Sequence, residues 1–165
     1  MAYDGVVMNG LPGFIKDNFS AFLEVMWFIP SEIQIRDWYE AALLVFILVV
    51  ALGVIFLCDR LLKKYNPGFA TGALLVFLLL SLTLGLTGLI LSIPRLPSSM
   101  YNTFPVLCIG SPVFNLVLGV VASLGHRLRN HRPIAGTLLL CGAGFLFAWV
   151  LFTTFILFAL RLFNS

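Results

Sequence analysis

Four long apolar runs, Trp38–Cys58, Thr71–Ile93, Phe104–Leu124 and Ile134–Phe163, dominate the sequence, and none carries an acidic or basic residue in its central turns. A helix crosses a hydrocarbon layer about 30 Å thick in about 20 residues, so each run is long enough to span. The composition agrees: 61% of residues are hydrophobic and 10% charged, against roughly 45–50% and about 25% in an ordinary soluble domain. The expected fold is an all-α membrane protein, an antiparallel bundle of four transmembrane helices. In 165 residues such a bundle leaves no room for a second, soluble domain.

Helix punctuation brackets the runs. Asn66-Pro67-Gly68 is placed to end the first span, Pro94 the second, and Pro133 to open the fourth. The connections are short, which predicts antiparallel neighbours. Arg60, Lys63 and Lys64 follow the first span beside Asp59, and His126, Arg127, Arg129, His131 and Arg132 follow the third. Basic residues favour the cytoplasmic side, so both of these segments are expected inside and both termini outside. The outer side then receives Asp4, Asp17, Glu24, Glu32, Asp37 and Glu40, with Lys16, Arg36, Arg95 and Arg161 as its basic residues. The net charge of +3 is read as this orientation signal and not as a nucleic-acid surface.

The N-terminal segment, residues 1–30, is read separately from the bundle at 31–165. It lacks the basic start of a signal peptide, so the first span is expected to act as its own insertion signal. Within Leu11–Ile29, Ile15, Phe19, Phe22, Leu23, Met26 and Ile29 recur at helical spacing, with Lys16, Asp17, Ser20 and Glu24 elsewhere on the wheel. The prediction is an amphipathic helix lying in the outer interface, with Trp27 at headgroup depth, or docked on a partner. After Pro30, Ser31-Glu32-Ile33-Gln34 fits a capping box, which would start the first spanning helix well outside the lipid. Asn18-Phe19-Ser20 matches a glycosylation sequon.

Polar and small residues inside the runs point to packing faces. Ser111, Asn115, Gly119 and Ser123 repeat every four residues, and the Asn115 amide needs an interhelical partner. Pro112 removes a backbone donor there, so a kink is expected, and the alternative reading makes this stretch a pore lining. Ser81, Gly85, Gly88 and Ser92 repeat the theme in the second run, where Thr83 and Thr87 are placed to bond back to their own helix. The fourth run supplies Gly136, Gly144 and Ala148 among Thr137, Cys141 and Gly142, and its Trp149 indole calls for an acceptor. Phe145, Phe147, Phe152, Phe155 and Phe158 spread around this helix, so part of it should face lipid or an apolar partner such as a quinone or sterol.

Catalytic chemistry finds little footing. Ion-coupled transport or intramembrane hydrolysis usually needs an ionisable group within the bundle, and the runs offer none. His126 and His131 sit together in a basic loop, not facing one another as haem ligands would. Cys58, Cys108 and Cys141 lie in or beside apolar stretches without disulfide or zinc spacing and read as packing residues, although Cys58 beside Arg60 also fits an acylation context. No cofactor, metal or catalytic residue is expected. His126, Arg127, Arg129, His131 and Arg132 could clasp an anionic lipid headgroup, while topology determination explains them more simply. The expected function is a non-catalytic membrane subunit that assembles with or stabilises a larger membrane complex, with lipid and other membrane subunits as partners. An oligomeric channel or small-solute transporter is the alternative, and a membrane-edge enzyme or lipid- or cofactor-binding protein the second.

Overall fold

The computed structural model of the protein describes residues 11–32, 38–92 and 103–163, without the side chains at several helix ends. The readings of Asp4, Gln34, Arg36, Asp37, Pro94 and Arg95, and of the side chains of Trp27, Cys108, Phe158 and Arg161, fall outside what it describes. The described chain is helical: α1 (Leu11–Glu32), α2 (Trp38–Tyr65), α3 (Phe69–Ser92), α4 (Thr103–His131) and α5 (Pro133–Phe163). Three stretches, Ala41–Tyr65, Phe69–Leu89 and Pro133–Ile156, are long and apolar enough to cross a membrane. They mark the chain as a membrane protein. The fourth expected span, in α4, is not among them; that helix carries a half-buried Pro112 and a buried Asn115, and its last turns hold His126, Arg127, Arg129 and His131.

The turns are made by local chemistry. α2 stops where Asn66 takes a left-handed backbone, φ 42°, a conformation that Asn tolerates better than most residues and that commonly terminates helices. Its amide donates to the Leu62 carbonyl at 2.8 Å, and Pro67 and Gly68 carry the chain into α3. Between α4 and α5 only Arg132 intervenes, with Pro133 at the first helical position, where its missing amide hydrogen costs nothing.

α4 lies between α3 and α5, α2 packs chiefly on α5, and α1 packs on α4 with a smaller contact on α5. Because the spans are apolar on every side, hydrophobicity alone does not select the inward face; in lipid, close packing must do so. On α2 the buried apolar positions are Ile47, Ala51, Ile55, Cys58 and Leu62, a helical stripe. Leu74, Leu78, Leu82, Leu86 and Leu89 form the opposite kind of stripe on α3, exposed along its length. Cys58 lies in the core and not on an accessible edge.

Two glycines let backbones meet. A Cβ on Gly119 would stand 2.6 Å from the Ala73 carbonyl oxygen of α3, and one on Gly136 would collide with the Arg129 backbone of α4. The latter contact permits the one-residue turn between α4 and α5.

α1 runs through Pro30 to Glu32, so Ser31 is helical and does not cap α2, which begins at Trp38. At 28 residues, α2 is about 42 Å long by the rise of 1.5 Å per residue. The predicted apolar stripe of α1 divides: Phe22 and Met26 are buried, whereas Ile15 and Leu23 are exposed.

Candidate functional site

Among the described residues, the ionisable side chains that pair do so at one end of the bundle, where α2 and α4 finish. Asp59 is 9% exposed. His126 Nδ1–H donates to its Oδ1 at 2.6 Å, and Arg129 Nη1 donates to its Oδ2 at 2.7 Å. His126 and Arg129 lie three residues apart on α4 and so share a face. One carboxylate, placed where α2 leaves the apolar layer, thus accepts from both. The contact puts Arg60, Lys63 and Lys64 at the same end of the bundle as Arg127, Arg129 and Arg132.

With Nδ1–H held by a carboxylate, the other ring nitrogen of His126, Nε2, lies on the far edge of the imidazole. That ring borders a cleft of about 440 Å³ together with Asn66, Pro67, Ser123, Arg127 and His131. The Arg127 guanidinium stands 5.2 Å over the Phe69 ring, a cation–π contact that holds it at the start of α3. The Ser123 hydroxyl is buried and donates to the Phe69 carbonyl at 3.5 Å. His131 and Arg132 are exposed. Such an arrangement can bind an anionic oxygen. Among the described residues no group of three or more His, Cys, Asp or Glu stands together as a metal site.

The polar stripe of α4 faces α3. Asn115 is fully buried, and its Nδ2 donates to Ser81 Oγ at 3.3 Å, while its Oδ1 has no hydrogen-bond partner. Ser111 and Pro112, one turn earlier, are half-buried, and α4 continues through the proline. Gly119 and Ser123 complete the contact, at Ala73 and Phe69 respectively. Gly85 is exposed and Gly88 half-buried, so neither joins Asn115 and Ser81 in a common site. Thr83 and Thr87 donate to the carbonyls of Leu79 and Thr83, each one turn back. Thr154 Oγ1, buried in α5, has no partner.

The Trp149 acceptor is the Met26 carbonyl of α1, at 2.8 Å. In a helix that carbonyl would normally receive the amide hydrogen of residue 30, but Pro30 has none. The indole therefore fills a vacancy that the sequence itself creates. Beside it, the Phe22 ring packs on Phe114, with centroids 6.0 Å apart, and against Gly110, where any Cβ would collide with Phe22. On the outward side of α1, Asn18 Nδ2, the atom that a glycan would take, donates to the Phe14 carbonyl at 2.8 Å.

Asp59 is the residue that sequence reasoning passed over, counting it only as a charge set against a basic segment. Its signal was its position: a carboxylate at the basic end of an apolar helix needs a cation close by. Compared with family models, curated proteins and solved structures, the chain finds no match in any of the three.

Proposed function

We propose that the chain is a non-catalytic membrane subunit: a bundle of four transmembrane helices, α2 to α5, with both termini on the outer side and α1 docked at the outer end as an amphipathic interfacial helix. It assembles with other helices in the same membrane. The observation that carries this reading concerns glycines the chain does not use. Gly53 on α2, Gly85 on α3 and Gly142 on α5 are exposed, and nothing lies within 4 Å of the place a Cβ would take on each. By contrast, Gly119, Gly136 and Gly144 are each filled closely by a neighbouring helix of the same chain. In membrane spans small residues mark the surfaces where another helix approaches. Three such surfaces without an internal neighbour support a partner in the lipid plane.

A channel between copies draws less support, because Asn115 is spent between α3 and α4 of one chain. A membrane-edge enzyme has an oriented imidazole at His126, but the hydroxyl that shares its cleft, Ser123, is turned to the Phe69 carbonyl.

Gentle detergent extraction of the tagged native protein, with size measurement and mass spectrometry of what co-purifies, tests the proposal. The expected result is recovery with a fixed set of other membrane proteins, and release of that set by Gly85→Leu, Gly53→Leu or Gly142→Leu without a change in the thermal midpoint. Recovery as a lone monomer or a homogeneous homo-oligomer would overturn it.

A further inference from the structure

On α4, Leu116, Val120, Leu124, Arg127 and His131 follow one another at helical spacing, and all are exposed. One continuous face is thus apolar for two turns and basic for the next two. Its basic end opens onto the cleft bounded by Asn66, Ser123, His126, Arg127 and His131. Asp59 has already taken Arg129 and the Nδ1 side of His126. Those two contacts are the ones a carboxylate makes with a basic side chain among the described residues, so Arg127 is engaged by the Phe69 ring and by no carboxylate. The helix termini at this end offset one another: α2 and α4 finish here, and α3 and α5 start here, so the carbonyl-rich ends are matched by amide-rich ones.

We propose that this face holds one anionic phospholipid. Its phosphate sits in the cleft between Arg127 and His131, with His126 Nε2 and the Asn66 side chain behind it. An acyl chain runs along Leu124, Val120 and Leu116. A phosphate accepts bidentate hydrogen bonds from a guanidinium, and the contact with the Phe69 ring keeps the Arg127 guanidinium beside the cleft. The source is a lipid and not a soluble phosphate because the basic end continues directly into an exposed apolar lane of the membrane-facing helix. The inference rests on the proposed reading of α4 as a membrane-spanning helix and not on the accessory-subunit role.

The experiment is native mass spectrometry of the detergent-solubilised protein, titrated separately with phosphatidylglycerol and phosphatidylcholine. One phosphatidylglycerol should be retained in preference to phosphatidylcholine. Arg127→Gln should weaken that preference by about fivefold, the equivalent of roughly 1 kcal/mol per basic group at an anionic headgroup. His131→Gln should weaken it in the same direction, while Lys64→Gln, which does not line the cleft, should leave it unchanged. Unaltered thermal midpoints check that all three variants remain folded. Equal retention of the two lipids, or an equal loss in Lys64→Gln, would overturn the proposal by showing diffuse surface charge. If glycerol 3-phosphate at millimolar concentration displaces the lipid from the wild type, the phosphate site stands but its lipid source is overturned.

Discussion

Asp59 shows how much can rest on a single side chain. In a protein whose described core is otherwise apolar, hydroxyl or amide, this carboxylate ties the end of α2 to the end of α4 through two charge-assisted bonds of 2.6 and 2.7 Å. Hydrogen bonds to charged groups contribute about 1.5–3 kcal/mol where they are shielded. The Arg129 side chain is 43% exposed, which reduces its share. Asp59→Asn should therefore lower stability by about 1–3 kcal/mol, and Arg129→Gln by distinctly less. Unfolding titrations in mixed micelles measure both; equal effects would show that the arginine, not the histidine, dominates. The sequence hid this cluster because its partners lie 67 and 70 residues from Asp59, and residue type says nothing of such pairing. Asn115 was easier to read, since an amide in a span must find a partner. That its partner is Ser81 and that Oδ1 finds none required the three-dimensional arrangement.

Among the elements, those closed by local chemistry were legible. Asn66-Pro67-Gly68 and Pro133 end and open helices through backbone preferences alone, and the structure places those boundaries there. Thr83 and Thr87 likewise bond within their own helix. α1 was misread at its end because Pro30 looked like a stop. The helix passes through it, and the carbonyl that Pro30 leaves open is answered by Trp149 from α5. The Phe22–Gly110 contact was invisible for the same reason, being a fit between distant segments. This arrangement makes a selective prediction. Trp149→Phe keeps an aromatic ring but removes the donor, at a cost of about 1 kcal/mol. Hydrogen exchange should then quicken roughly fivefold in α1 and stay unchanged in α2 and α3. Uniform acceleration across all helices would mean that the tryptophan supports the bundle as a whole and not the docking of α1.

For the whole molecule, the charges predict an orientation. Arg60, Lys63, Lys64, Arg127, Arg129 and Arg132 gather at one end, and basic residues near span ends hold their side in the cytoplasm. A bacterial alkaline phosphatase fused after Ser165 should accordingly be active, and a fluorescent protein at the same point dark. The reverse pattern would place the basic end outside. The docking of α1 also sets an order of events. Its partners Gly110, Phe114 and Trp149 belong to the last two helices, and Met26 precedes Trp149 by 123 residues. At a synthesis rate of about 5–20 residues per second, that gap lasts about 6–25 s. Throughout it the open Met26 carbonyl has no donor in its own chain, although the Phe22 partners Gly110 and Phe114 are made earlier, so the C-terminal end of α1 waits at the membrane surface or in the keeping of another protein. Of the five described helices, α1 is made first and completes its contacts only when α5 is made.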